Sequence, residues 1–128
     1  MTCNDSEQFG AVFVLRISVA NDHRIVTRFE TYVFDASTTD DAYRQATEFS
    51  PTLDYQYRNS DGEIVTIKCI GLHDLDRVES DGDDYPGLVS SAEFLTNGVD
   101  AFALIPDRDC LSCFSRGGNR SNFPNLSQ

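Results

Sequence analysis

Phe13, Leu15, Ile17 and Val19 alternate with Val14, Arg16 and Ser18. A period of two sends successive side chains to opposite faces, so the run marks a strand with one buried face. Asn21-Asp22-His23 is turn chemistry. Beyond it, Ile25, Phe29 and Val33 share one face and Arg28 and Glu30 the other, with the β-branched Thr27 and Thr31 between them. Two such runs joined by a short polar link read as a β-hairpin.

The pattern then changes. In Ser37-Thr38-Thr39-Asp40-Asp41, Thr38 is a helix cap and Asp41 resembles the acidic partner of a capping box. Ala42, Ala46 and Phe49 lie on one helical face, and Ser50-Pro51 ends the helix after about three turns. A second hairpin follows. Leu53, Tyr55 and Tyr57 alternate with polar residues, and Tyr55 and Tyr57 are expected on its core face. Asn59-Ser60-Asp61-Gly62 supplies the turn, and Val65, Ile67 and Cys69 alternate on the return. Gly71 marks a bulge where that strand bends. Leu88–Leu95 and Val99–Ile105 are apolar segments with no clear period. The expected fold is therefore α+β: a two-layer arrangement with an antiparallel sheet and one main helix on one face, a β-β-α-β-β core plus peripheral elements.

Several of these residues also carry a family resemblance. Ala36, Thr38, Asp41, Ala42 and Tyr43 form a helix entry, Asp61-Gly62-Glu63 a turn, and Gly71, Leu72 and Asp74 a strand end. In this order the chain resembles the small bacterial domain-of-unknown-function family 4288 over roughly residues 12–95. The resemblance implies the same architecture and no activity, since the family has none assigned.

Charge narrows the function classes. The 128 residues hold 21 acids and 10 bases, a net charge of −11. Such a chain is not expected to bind nucleic acid by neutralising phosphates, nor a membrane through a basic face. Residues 1–106 carry 19 of the acids, whereas 107–128 are slightly basic and rich in Ser, Asn and Gly. The expected organisation is a flexible N-terminus over 1–10, a single domain over 11–106 and a flexible tail over 107–128. Met1–Gly10 has no basic residue ahead of the apolar run, and no stretch reaches the roughly 20 apolar residues that span a bilayer. The expected compartment is the cytoplasm.

The acids concentrate in Asp74, Asp76, Glu79, Asp81, Asp83 and Asp84, opposed only by Arg77. Aligned as a calcium-binding EF-hand loop around Gly82, this run puts Arg77 at the first ligand position and Leu88 at the twelfth, so that reading fails. The run is instead expected to be a solvated turn and, if the protein has a charged interface, the surface that meets a basic partner. The function expected is a non-enzymatic protein-binding module, in its specific form an immunity- or antitoxin-like inhibitor, with no cofactor. The alternative is a metal- or redox-dependent regulator or enzyme built on Cys110-x-x-Cys113, with His73 as a further ligand candidate. Only one zinc half-site is present, and no nucleophile elbow, phosphate loop, dinucleotide fingerprint or H-E-x-x-H occurs. Cys69 reads as a core strand residue. An open antiparallel sheet also offers edges through which two copies would pair as a homodimer.

Overall fold

Strand β1 (Glu7–Val19) turns at Asn21, whose φ of 68° suits a tight left-handed turn, into β2 (Ile25–Ala36). Helix α1 (Thr39–Phe49) follows, then β3 (Tyr55–Arg58), β4 (Ile64–Arg77) and β5 (Gly87–Leu95). Single 3-10 turns occupy Ser50–Leu53, Ala101–Leu104 and Arg108–Cys110. This computed structural model describes residues 7–23, 25–78, 87–95 and 101–115. All five strands form one antiparallel sheet in the order β3-β4-β1-β2-β5, with α1 on one face. The two-layer α+β architecture expected from the sequence is therefore the observed one.

The local signals act as their chemistry dictates. The Thr38 hydroxyl accepts from the Asp41 backbone N–H at 2.9 Å, and the Asp41 carboxylate accepts from the Ser37 N–H at 3.1 Å. The Ser37 N–H, followed by Arg44, holds the Asp41 carboxyl down at about 2. Pro51 stops α1 less sharply than expected, because Ser50 keeps helical dihedrals and the chain tightens into a 3-10 turn. In the second hairpin the Asn59 side chain accepts from the Asp61 and Glu63 N–H groups at 2.9 Å each. Gly62 supplies a φ of 82° there.

β1 differs from the one-sided strand that its alternation predicts. Phe9, Ala11, Phe13 and Leu15 face α1 in the main core, together with Ala36, Ala42, Ala46, Ile67, Leu72 and Leu75. Val12 and Val14 are equally buried on the opposite face, where Val33 and Ala101 also lie. The chain around the Ala101–Leu104 turn covers that face. Arg16 stacks over the Phe102 ring, and the Leu104 carbonyl meets the His73 ring nitrogen Nδ1 at 2.9 Å. β4 is irregular against β1, with register shifts between Val12 and Phe13 and between Val14 and Leu15. Gly71 sits in this distorted stretch with a φ of 152°, and an added Cβ would meet the Ile105 side chain at 3.1 Å.

Three other expectations are corrected. Tyr55 and Tyr57 are exposed, not core residues, because β3 is a short outer strand that α1 does not reach. The composition-based boundary at residue 10 falls inside β1, whose first residues pair with Phe34–Ala36 despite their polar character. The boundary at residue 107 likewise falls short, since Leu111 and Cys113 are buried in the main core. The Cys113 N–H donates to the Leu75 carbonyl at 2.9 Å, so this segment covers the part of the β4 edge that β3 leaves open. The Asp54 carboxylate blunts the same edge by accepting the Cys69 N–H at 2.8 Å, which lowers its pKa. The outer strands are then β3 and β5, where pairing with a second copy would have to form.

Candidate functional site

Helix α1 has two flanks, and they are finished differently. On the β4 side the chain from Ile105 to Phe114 is clamped down. Arg108 pairs with Asp40 at the start of α1 and stacks 3.9 Å over the Phe114 ring and 5.2 Å over Tyr43. Phe114 meets Tyr43 edge-on at 5.9 Å. Below them Ser112 donates both its N–H and its hydroxyl to the Asp74 carboxylate, each at 2.8 Å. A cleft of only about 210 Å³ remains on this flank, beside Tyr43, Ser50, Ile105 and Arg108.

On the β2 side a cleft of about 550 Å³ opens between the helix and the sheet. Its walls come from α1 (Gln45, Ala46, Glu48, Phe49), and its floor from Phe13, Tyr32 and Phe34. The rings of Phe13, Tyr32 and Phe49 form a mutual cluster with centroids 5.0 to 5.9 Å apart. Phe49 shares the apolar helical face of Ala42 and Ala46, yet it stays 37% exposed as one wall of this cleft. A strand's period puts Arg28, Glu30 and Tyr32 on the same face of β2. Glu30 is buried at 6% exposure, accepting from the Tyr32 hydroxyl at 2.9 Å and pairing with Arg28 at 3.1 Å. Arg28 also reaches Glu93 of β5 at 2.7 Å. Burial, reinforced by the Glu30 hydrogen bond, pushes the Tyr32 phenol up to about 12, so it stays a protonated donor. The arrangement is an apolar aromatic slot whose polar end is the Tyr32 hydroxyl, fixed by Glu30 beyond the lining, which is a binding geometry.

The residues singled out in the sequence are not gathered here. Asp74 lies in β4, fully buried and occupied by Ser112, so it is not part of a solvated acidic surface. Its acidic neighbours in the sequence give no hint of this, because the Ser112 donors that satisfy it arrive from 38 residues away. Asp76 is half-buried, and burial raises its pKa. Glu79, Asp81, Asp83 and Asp84 lie outside the described residues, as does Cys3.

The thiol and histidine candidates are also separated. Cys110 is exposed, Cys113 is buried in the core under α1, and His73 packs 4.9 Å from Phe29 while meeting Leu104 on the opposite face. Among the described residues no group of three His, Cys, Asp or Glu side chains converges as a metal site would require. Burial pushes the Cys113 thiol up to about 11, the reverse of what a reactive C-x-x-C thiol needs. Burial likewise raises Cys69, which accepts the Ser50 hydroxyl at 3.0 Å.

Sequence reasoning missed the slot and its polar end. The one available signal is Glu30, a charge inside an otherwise β-branched and aromatic strand with Arg28 and Tyr32 two residues to either side. No helix among the described residues is long and apolar enough to cross a membrane. The family model described as Domain of unknown function (DUF4288) matches residues 8–90, which include every residue lining the larger cleft and exclude the Arg108–Phe114 clamp. No curated protein and no solved structure matches the chain.

Proposed function

The chain belongs to the DUF4288 family, and from that premise we propose that it is a non-catalytic module that binds a basic protein partner in the cytoplasm. The observation that carries this reading is how the charges are distributed. Of the seven described basic side chains, five are engaged by acids of the same chain: Arg28, Arg44, Lys68, Arg77 and Arg108. Arg58 is turned to the Gly62 carbonyl and Arg16 to the Phe102 ring. Among the described residues the cations are thus spent internally, in a chain whose net charge is −11. An acidic surface of this kind speeds encounter with a basic partner by electrostatic steering and repels acidic ones. An immunity- or antitoxin-like inhibitor of a basic protein is the specific form that we favour. In it, Asp76, Glu79, Asp81, Asp83 and Asp84 are the acids of this stretch of sequence that would meet the partner, while the buried Asp74 takes no part.

Affinity capture from the source cells, at low salt and again at about 1 M salt where the Debye length is about 3 Å, tests the reading. A basic protein retained only at low salt, and lost when Asp81, Asp83 and Asp84 are all changed to Asn, is the expected result. Capture of no partner at low salt, or equal capture by the neutralised variant, overturns it.

A further inference from the structure

We infer that the cleft between α1 and β2 is the anchor site for that partner, receiving one aromatic or branched aliphatic side chain from a lysine- or arginine-rich segment. The inference rests on the binding-module reading and adds to it a place and a chemistry.

The size and lining come first. About 550 Å³ lies within the range of roughly 300–1,000 Å³ in which proteins hold side chains and small ligands. The Phe13, Tyr32 and Phe49 rings offer flat apolar walls, while Phe13 itself is only 1% exposed, so the floor is rigidly backed by the core. An inserted ring would pack against Phe49 and Tyr32 in the edge-on geometry that these rings already adopt with each other. The Tyr32 hydroxyl in the lining is already satisfied by Glu30, itself paired with Arg28, so an apolar occupant leaves no polar group stranded there.

Charge then selects the occupant. Among the described residues lining the cleft, Glu48 is the one charged side chain, and the nearby cations are held by carboxylates, Arg28 by Glu30 and Glu93 and Arg44 by Asp41 and Glu48. Arg28 is held by two carboxylates and projects little free charge. Glu48 at the lip is paired only with Arg44, at 3.1 Å, with both side chains more than half exposed. Such a pair is weak and exchanges readily for a partner's cation. An apolar anchor flanked by bases therefore matches both the floor and the lip, whereas an acidic segment would meet repulsion there. Topology excludes a competing mode at this place. β2 is hydrogen-bonded on both sides, to β1 and β5, so a partner cannot add a strand and must enter by its side chains.

The chain has no tryptophan, so the emission of a tryptophan peptide reports the peptide alone. Three pentapeptides serve as probes: tryptophan between pairs of lysines, tryptophan between pairs of glutamates, and glycine between pairs of lysines. The lysine–tryptophan peptide is expected to bind at low salt with a blue-shifted emission, and more tightly than either control. Phe49→Ala is expected to weaken it about tenfold, as loss of a central anchor contact does. Glu48→Lys, an exposed change at the lip that leaves the core alone, is expected to weaken it by a smaller factor while circular dichroism stays native. An unshifted emission, or unchanged binding in Glu48→Lys and in a folded Phe49→Ala, overturns the anchor site. Equal binding of the two lysine peptides also overturns it, but leaves the basic-partner reading standing. Equal binding of the glutamate–tryptophan peptide overturns the charge selection. If neither lysine peptide binds at low salt, the broader reading falls together with the anchor site.

Discussion

The two flanks of α1 start from similar material and end differently. Each offers aromatic side chains from the helix, Tyr43 on the β4 side and Phe49 on the β2 side. On the β4 side the chain returns after β5 and lays Leu111, Cys113 and Phe114 against the helix and the sheet. On the β2 side no described segment returns, and the aromatic floor is left beside the exposed carboxylate of Glu48. A return segment turns one flank into core, and its absence among the described residues leaves the other as a slot. Stability is therefore expected to reside on the β4 flank and recognition on the β2 flank.

The largest effect that would sharpen this contrast is at Leu111, which is 1% exposed. Leu111→Ala should cost about 2–5 kcal/mol in chemical denaturation, the range for cavities left in a packed core. A loss well below that would mean that the clamp contributes little and that the flanks are alike. Asp74→Ala comes next, since it strands the two Ser112 donors, and should cost about 1.5–3 kcal/mol. Adding Ser112→Ala should change little further if the two act as one unit.

The third prediction is a pH dependence on the same flank. Burial holds the Cys113 thiol at about 11 against an ordinary 9. The folded state thus favours the protonated thiol. Its contribution is full below pH 9 and is lost as pH rises from 9 to 11. Thermal midpoints should fall across that window in the wild type and fall less in Cys113→Ala. Equal slopes would break the assignment. The smallest stability effect is expected on the open flank, where Phe49→Ala should cost only roughly 1–2 kcal/mol because the ring is already over a third exposed. A cost as large as that of Leu111→Ala would show Phe49 to be core and the slot to be incidental.

What could be read from the sequence follows from the range of the forces involved. The β1–β2 hairpin, the Thr38 cap and the Asn59–Gly62 turn depend on residues close in the chain, and their patterns are plain. The resemblance to the family rests on local landmarks too, the helix entry at residues 36–43 and the turn at 61–63, and the family model matches residues 8–90. The burial of Asp74 depends on Ser112 donors that arrive from 38 residues away, whereas Glu30 is held by its strand neighbours Arg28 and Tyr32 and is buried by the tertiary packing around them. The clamp has the sequence of a tail because the 3-10 turn at Arg108–Cys110 and the bends after it impose no repeating period, and the surrounding Ser, Asn and Gly lower its apparent hydrophobicity. The slot follows from a mismatch of widths. Five strands span about 19 Å across at about 4.8 Å per spacing, whereas one helix with its side chains covers about 10–12 Å. Phe49 fits an apolar helical face and still ends at the margin of that cover. Tyr55 and Tyr57, expected in the core, sit beyond it on the other side.

The measurement that bears most directly on this account is a residue-by-residue map of amide chemical shifts as the lysine–tryptophan peptide is added. The account predicts that Tyr32, Phe34, Gln45, Phe49 and Thr52 shift together and saturably, while Leu111 to Phe114 stay in place. Shifts centred on Leu111–Phe114, or spread evenly over exposed carboxylates with no focus at the cleft, would contradict it.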